Sequence, residues 1–406
     1  MSLSRRAFVR SLGLGGSGAF SGTAIAARGR EALVAEFGAA PQTPQQQQQM
    51  RQMQALMDDP EVIRISSNEN PMGPGPVAYK AMIEMFGQSN RYPMNSRPSM
   101  MELRTFIGKK LNAKPESVIL GDGSGEILTN GVRAFTSRTK ALLNANPSYL
   151  SPEQTATAIG SPIKHVPVTA DLKIDLDGMV KASVGAGLIF LCNPNNPTAT
   201  AHSKSDIASF VAAVRKASPT TAILIDEAYI DYATDPNVQT AFDIALANPN
   251  VFVARTFSKA FGMAGLRLGY TVGQAATMKK IDDYTMPYNA NVMALAAAMA
   301  SLNDPAHLEQ ERQRNTAARK FTMDWFEKNG FKGTDTQTNF VFVNIKRPAR
   351  EFRDGCREHK VLVGRDFPPM EKTHARVSIG TMEEMQKAVQ VFGKVLGAAT
   401  TTAARG

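Results

Sequence analysis

Residues 255–270 read RTFSKAFGMAGLRLGY, and they follow directly after the apolar run VFVA at residues 251–254. A short run without polar residues is typical of a strand that helices bury on both faces. A lysine, Lys259, stands just beyond this run, and an arginine, Arg267, lies eight residues later. Ligands of an open parallel sheet bind beyond the carboxyl ends of its strands. We therefore predict that this stretch closes a buried strand and opens a ligand site.

From about residue 115 onward the chain alternates similar apolar runs with helix-like segments. This alternation is typical of βαβ units and predicts an α/β fold with a mostly parallel sheet. One predicted helix covers residues 204–218, with Ser205 and Asp206 as N-cap candidates and Ser218-Pro219 as its stop. The candidate strands are SVIL at 117–120, KALLN at 140–144, LIFLC at 188–192, AILI at 222–225 and VFVA at 251–254.

After residue 290 the pattern changes to long helical stretches followed by short apolar runs. The helical stretches are NVMALAAAMASLND and DPAHLEQERQRNTAARKFTMDWFEKNG, and the runs are FVFVNI at 340–345, VLV at 361–363 and RVSI at 376–379. We interpret them as spine helices and a smaller α+β domain at residues 291–400. The large domain is predicted to cover residues 91–290, and residues 56–90 are predicted to form an N-terminal arm of the small domain.

Composition is that of a globular protein, with 43% hydrophobic and 20% charged residues among 406. No apolar run is long enough to predict a transmembrane helix. The formal net charge of +10 comes from dispersed Lys and Arg, so neither nucleic acid nor a membrane is predicted as a partner of the mature protein. Five scattered histidines show no helical metal-ligand spacing, and the two cysteines show none either, so no metal is predicted.

The first residues have the pattern of a targeting segment. SRRAFVR at residues 4–10 precedes a weakly apolar stretch that ends in small residues, which resembles a twin-arginine export signal over residues 1–27. This predicts a periplasmic or secreted protein; the alternative is a disordered basic tail on a cytoplasmic one. Residues 28–55 include the polar stretch PQTPQQQQQM and are predicted to form a disordered linker.

Polar residues follow the other predicted strands as well. Each has an ordinary structural interpretation when taken alone: a tight turn, a packing tyrosine, a proline-asparagine turn or a helix N-cap. They are Ser124 and Gly125 in GDGSGE, Tyr149 in ANPSY, Asn196 in NPNNPT, and Asp226 and Tyr229 in DEAYIDY.

Taken together, these residues predict one particular ligand, a pyridine aldehyde phosphate. A lysine at an apolar strand end loses part of its affinity for a proton and can attack an aldehyde. Asp226 would hold the ring nitrogen protonated, so that the ring withdraws electrons. Ser258 and Arg267 would bind the phosphate, and the glycines of residues 255–270 would let the backbone approach it.

From about residue 60 to 395 the chain resembles fold-type I pyridoxal-phosphate enzymes, and within them the histidinol-phosphate aminotransferase group. The matching stretches are SSNENPMGPGP, RYP, GDGSGE, NPNNPT, DEAYIDY, RTFSKAFGMAGLRLGY, PYNANVMA and RVSIG. The resemblance implies pyridoxal 5'-phosphate as cofactor and a homodimer with shared active sites. It also implies an amino-acid or amino-alcohol-phosphate donor, such as histidinol phosphate, and a 2-oxo acid acceptor.

The resemblance further implies a role for each matching residue. Lys259 would be the catalytic Schiff-base lysine, with Asp226 and Tyr229 as its catalytic partners. Asn196 and Tyr229 would contact the ring hydroxyl oxygen, Tyr149 would stack on the ring, and Ser124, Gly125, Ser258 and Arg267 would bind the phosphate. Tyr92 would reach the phosphate of the cofactor in the neighbouring subunit. Arg376 would bind the substrate carboxylate, and Asn68 and Asn70 would line the substrate pocket.

Three positions depart from the family's pattern. Ala199 replaces the usual glycine after NPNNPT, and Gly125 replaces an acid. In VLVGRDF the family tends to place an arginine for a substrate phosphate directly after the apolar run, where this chain has Gly364, with Arg365 one residue later. Because side chains alternate along a strand, Arg365 is expected to face away from the site. Alternatives to transamination therefore stay open, namely a decarboxylase, an oxidase-like enzyme or a non-catalytic binding protein on the same scaffold.

Overall fold

A seven-stranded sheet forms the centre of the computed structural model, which describes residues 58–397. Together with two smaller sheets, this part of the chain has twelve strands. In chain order they are β1 Ile63–Ile65, β2 Val118–Asp122, β3 Ala141–Asn146, β4 Ile163–Pro167, β5 Ala186–Cys192, β6 Ala222–Asp226, β7 Val251–Thr256, β8 Leu268–Gly273, β9 Lys332–Gly333, β10 Phe340–Asn344, β11 Val361–Val363 and β12 His374–Ser378. The order in the central sheet is β2-β8-β7-β6-β5-β3-β4, and β8 runs opposite to the other six strands. The predicted α/β class is confirmed.

All five apolar runs predicted as strands belong to this sheet, but two of its strands were not predicted. β4 is an edge strand with exposed and half-buried residues, so it lacks a continuous apolar run. β8 is fully buried but contains Gly269, where a Cβ atom would lie 2.5 Å from the Ser124 amide nitrogen and 2.8 Å from the Arg255 carbonyl oxygen. Close packing, and not a turn, requires this glycine.

Twelve α-helices among residues 58–397 surround the sheets. They are α1 Pro76–Met85, α2 Met100–Lys110, α3 Gly123–Phe135, α4 Ser151–Ala158, α5 Leu176–Ala182, α6 Lys204–Ala217, α7 Phe242–Ala247, α8 Ala275–Asp282, α9 Val292–Leu302, α10 Pro305–Lys328, α11 Ala349–Glu358 and α12 Met382–Leu396. None of the helices in this part of the chain is long and apolar enough to cross a membrane.

The predicted N-cap of α6 is wrong. Ser203 caps this helix: its hydroxyl accepts from the Asp206 backbone N–H, and the Asp206 side chain accepts from the Ser203 N–H. Asp206 is therefore the third residue of a capping box, and Ser205 lies within the first turn. The helix ends at Ala217, with Ser218 as its C-cap, as predicted.

The C-terminal part of the chain builds two further small sheets. β10 lies between β9 and β12 and is antiparallel to both, while β1 pairs in parallel with β11. Aromatic residues of α10, α11 and α12 fill a separate core beside them, including Phe326, Phe352 and Phe392. Residues 61–397 belong to one compact unit. The predicted leader and the predicted linker lie outside the described residues.

The topology explains why one edge of the central sheet collects polar residues. β2, β3, β5, β6 and β7 all run in the same direction, so their carboxyl ends meet at a single edge. β8 runs the opposite way, so its amino end lies at that edge. Arg267, which precedes β8, is thereby brought to the same place as Lys259, which follows β7.

Candidate active site

A cavity of about 310 Å³ lies at this edge, within the roughly 300–1,000 Å³ that is usual for a small-molecule site. Eleven of the thirteen predicted site residues line it: Asn68, Ser124, Gly125, Tyr149, Asn196, Asp226, Tyr229, Ser258, Lys259, Arg267 and Arg376. Asn70 lies outside it, because its amide donates to the Ala260 carbonyl and accepts from the Met72 N–H. Tyr92 is 66% exposed, with its ring 5.2 Å from that of Tyr288.

Lys259 follows β7 after a short turn and extends into the cavity. Its Nζ donates to the carbonyl oxygen of Ser67 at 3.2 Å. Burial, together with the nearby Arg376 cation, lowers the pKa of Lys259 to about 8. A substantial share of this amine is therefore neutral near pH 8 and able to act as a nucleophile.

Asp226 ends β6 and is 3% exposed. Burial raises its pKa to about 7, although the Ala228 N–H donates to Oδ1 at 3.2 Å. The N-cap interpretation does not hold, because the next helical turn, at Ile230–Tyr232, has no side-chain cap. No salt-bridge partner for Asp226 is present among residues 58–397, so the carboxylate is suited to pair with a cation that a ligand brings.

The first turn of α3, Ser258 and Arg267 converge on one end of the cavity. Gly123 has φ +65°, and a Cβ atom there would lie 2.2 Å from Arg267 Nη2. The Ser258 hydroxyl is 3.4 Å from Arg267 Nη1. Helix N–H groups, a hydroxyl and a guanidinium together form a suitable site for a phosphate.

Of the motif glycines, Gly262 does not have the predicted role beside the phosphate. Gly262 has φ +70°, and a Cβ atom there would lie 2.0 Å from the Gly73 carbonyl oxygen, so this glycine permits packing against the N-terminal loop. Gly265 has open space at its Cβ position. The glycine that makes room beside Arg267 is Gly123.

Arg376, on β12, is a buried cation without a carboxylate partner in the part of the chain that the structure describes. Nη1 donates to Asn196 Oδ1 and Nη2 to the Ser66 carbonyl oxygen, both at 2.7 Å, and Nε has no partner there. Burial lowers its pKa to about 10. A buried guanidinium held only by neutral acceptors is suited to receive an anion.

Arg365 also lines the cavity, so the prediction that it faces away is wrong. β11 ends at Val363, and strand alternation therefore does not extend to residue 365. A Cβ atom at Gly364 would lie 2.7 Å from the Arg376 carbonyl oxygen and 3.3 Å from its Nε, so a side chain here would displace Arg376. The guanidinium carbons of Arg365 and Arg376 lie 4.5 and 4.7 Å from the centre of the Phe367 ring.

Further lining residues were not predicted, among them Ser67, Glu69, Cys192 and Thr256. Ser67 contributes a backbone carbonyl, which side-chain identity does not reveal. Cys192 faces Asp226 across the β5–β6 pair, and this position follows only from strand register. Glu69 lies inside the quoted stretch SSNENPMGPGP, which was the available signal for it.

Comparison with known proteins identifies the family. The family described as aminotransferase class I and II matches residues 60–392. The chain belongs to this family. The histidinol-phosphate aminotransferase of Moorella thermoacetica is 32% identical over 83% of the chain and 86% of its own length. The corresponding enzyme of Lactiplantibacillus plantarum is 33% identical over 84% of the chain and 93% of its own length.

A solved structure extends the comparison to the cofactor. The histidinol-phosphate aminotransferase from Sinorhizobium meliloti, in complex with pyridoxal-5'-phosphate, superposes with a TM-score of 0.78 at 25% identity. The alignment covers 89% of this chain and 98% of that one. The protein is a pyridoxal-phosphate-dependent aminotransferase, and the predicted family, activity and cofactor are confirmed.

The residues at the cavity fit this cofactor. The site formed by the first turn of α3, Ser258 and Arg267 suits the phosphate of the cofactor. Asp226, which has no salt-bridge partner among residues 58–397, suits the ring nitrogen, and Lys259 is positioned to bind the aldehyde carbon. When bound, pyridoxal phosphate supplies an electron sink that stabilises negative charge on the substrate carbon that loses a proton. Around it, Arg376 is placed to bind and orient an anionic group of the substrate, and the Lys259 amine is placed to accept and return the proton.

Proposed function

We propose that this aminotransferase exchanges an amino group between a donor that carries anionic groups and a 2-oxo acid. The donor is either an acidic amino acid or an amino alcohol phosphate. The observation that carries the proposal is the pair Arg365 and Arg376, two guanidiniums on one aromatic ring in the Lys259 cavity. One cation would bind the carboxylate next to the amino group, and the other would bind a second carboxylate or a phosphate.

Relatives support the phosphate branch of this proposal. The Moorella and Lactiplantibacillus enzymes are named for histidinol phosphate, an amino alcohol phosphate, and are more than 30% identical to this chain. Such a donor lacks a carboxylate, so its phosphate would be the group that the two arginines bind. A donor panel with histidinol phosphate, glutamate, aspartate and alanine, followed by formation of the keto product, tests which branch holds.

The Arg365→Gln variant should separate donors that carry a phosphate or a second carboxylate from alanine, which carries one carboxylate only. Losing one charged hydrogen bond costs about 1.5–3 kcal/mol, so kcat/KM for histidinol phosphate, or for a donor with a second carboxylate, should fall about 10- to 100-fold. For alanine, which lacks a second anion, kcat/KM should change less than about twofold. The control Arg350→Gln alters an exposed arginine on α11 and should leave kcat/KM unchanged for both kinds of donor. An equal loss for every donor would show that Arg365 does not read the second anion.

Decarboxylation on the same scaffold is the competing reaction. Keto-product formation and carbon dioxide release should therefore be measured on the same samples with each donor. We expect one keto product per donor consumed and no carbon dioxide. Stoichiometric carbon dioxide without a keto product would contradict the proposed transamination.

We also propose that the protein functions as a homodimer. An apolar surface lies on α1, the following segment and residues 284–288, where large side chains are about half or more exposed. They include Tyr79, Ile83, Phe86, Tyr92, Met286 and Tyr288. Within this set the Tyr92 and Tyr288 rings lie 5.2 Å apart, and exposed apolar patches are typical of interfaces. A second copy seated on this surface would bring Tyr92 to the phosphate of its partner's cofactor.

Disrupting this surface should produce a monomer with weakened cofactor binding. Phe86→Glu places a charge in the patch, and light scattering should show the mass falling from two chains to one. Val184→Glu alters an equally exposed apolar residue outside the patch and should keep the dimer. A monomeric wild-type protein would refute the dimer.

Finally, we propose export through the twin-arginine route. The paired arginines Arg5 and Arg6, the weakly apolar stretch and the small residues before residue 28 support it. Residues 1–40 fused to a fluorescent reporter should deliver it to the periplasm, and replacing both arginines by lysine should retain it in the cytoplasm. Equal distribution of the two fusions would refute this route.

A further inference from the structure

Three consecutive residues of the N-terminal segment contact three functional side chains. The Ser66 carbonyl accepts from Arg376, the Ser67 carbonyl accepts from Lys259, and the Asn68 amide donates to the Tyr229 hydroxyl at 3.1 Å. The first two are backbone contacts that any residue could provide. Asn68 is different, because only its side chain can make its contact.

Asn68 is held in one orientation. Its backbone N–H donates to Ser378 Oγ at 2.9 Å, and that hydroxyl donates to Asn68 Oδ1 at 2.7 Å. The Asn339 amide donates to its carbonyl oxygen at 3.0 Å. Asn68 is 1% exposed and has φ +55°, a left-handed conformation that asparagine tolerates better than most residues. With Oδ1 occupied by Ser378, its NH₂ group faces Tyr229.

A second amide reaches the same oxygen. Asn196 Nδ2 donates to the Tyr229 hydroxyl at 3.2 Å. The orientation of this amide is determined by Arg376, which has no acceptor atoms and donates to Asn196 Oδ1. The Tyr229 oxygen therefore accepts two N–H groups. Within residues 58–397 no acceptor lies within hydrogen-bond distance of its hydroxyl hydrogen.

We propose that Asn68 is a positioning residue for the transamination. Together with Asn196 it occupies the acceptor positions of the Tyr229 oxygen. The Tyr229 hydroxyl hydrogen is thereby directed into the cavity, toward the ring hydroxyl oxygen of the cofactor. This role is added to the predicted place of Asn68 along the substrate pocket. The proposal rests on pyridoxal phosphate being bound with that oxygen beside Tyr229.

Charged and titratable groups surround Tyr229 from other elements. They are Arg376 on β12, Asp226 at the end of β6, Cys192 at the end of β5 and Lys259, whose Nζ lies 5.8 Å from the ring centre. Phe340 packs edge-on against the ring at 5.0 Å. Burial raises the pKa of Tyr229, so it keeps its hydrogen across the working pH range. Replacing Asn68 by a neutral residue leaves all these charges in place.

The test measures the pH midpoint of the visible absorbance change in the cofactor-loaded protein. A hydrogen bond donated to the ring oxygen stabilises the deprotonated form and lowers this midpoint. Asn68→Gly removes the amide and accepts a left-handed backbone, so the midpoint should rise by about 0.5–1 pH unit. Tyr229→Phe should raise it at least as much, and adding Asn68→Gly to Tyr229→Phe should produce no further rise.

Two variants separate the effect of losing the amide from the effect of straining the backbone. Asn68→Ala removes the same amide but strains the left-handed backbone, so it should show the same midpoint as Asn68→Gly with a lower melting temperature. Asn112→Gly alters an exposed asparagine with φ +51° after α2 and should leave the midpoint unchanged. A loaded Asn68→Gly protein with the wild-type midpoint, or a shift seen only with alanine, would overturn the proposal. If the wild-type protein shows no lysine-dependent band, cofactor attachment itself fails.

Discussion

Replacing Lys259 with alanine is expected to lower the transamination rate about 10⁴-fold, because one side chain both binds the cofactor and moves the proton. The protein should still fold and retain some pyridoxal phosphate through Arg267, Ser258 and the first turn of α3. Borohydride treatment should fix the cofactor to the wild-type protein and not to the variant, and intact-protein mass spectrometry measures this directly.

The pH dependence of cofactor attachment provides a second check on Lys259. Its pKa is lowered to about 8, so the neutral, reactive amine is the majority form above that pH and falls about tenfold for each unit below it. The rate at which cofactor-free protein captures pyridoxal phosphate should therefore rise from pH 6 to 8 and level off above. A rate still rising about tenfold per unit near pH 9 would mean that the amine is solvated and unperturbed.

Asp226→Asn is expected to lower the transamination rate about 10²- to 10⁴-fold, which corresponds to the roughly 3–5 kcal/mol that a buried ion pair loses when one partner is removed. In the cofactor-free protein burial raises the pKa of Asp226 to about 7. A protonated ring nitrogen beside it would lower that pKa, and by linkage the carboxylate would raise the pKa of the ring nitrogen. The neutral amide cannot do so.

Single-turnover conversion of the cofactor to its amine form measures the effect of Asp226→Asn. Asp324→Asn, on the exposed face of α10, provides the control and should leave the rate unchanged. Glutamate at position 226 would keep the charge with a longer side chain and should retain more activity than asparagine. A loss of less than tenfold in Asp226→Asn would show that the carboxylate does not hold the ring nitrogen protonated.

Local sequence was sufficient to predict most of the site residues. A buried parallel strand requires an apolar run, so the runs located β2, β3, β5, β6 and β7, and the residues after each run could then be read as one edge. Where this reasoning failed, the cause was contact between distant segments. Asn70 was predicted to line the substrate pocket because the quoted motif contains it, but it lies outside the cavity and its amide donates to the Ala260 carbonyl, 190 positions away.

By itself the sequence determined the α/β fold, the identity of the cofactor and the lysine that lines the cavity, because these depend on apolar runs and on residues adjacent to them in the chain. Only the tertiary structure decided which way β8 runs, that Arg365 enters the cavity beside Arg376, and that residues 66–68 contact three functional side chains. Those arrangements depend on backbone register and on hydrogen bonds such as those from Arg376 to Ser66 and from Asn68 to Ser378, which join residues 310 positions apart.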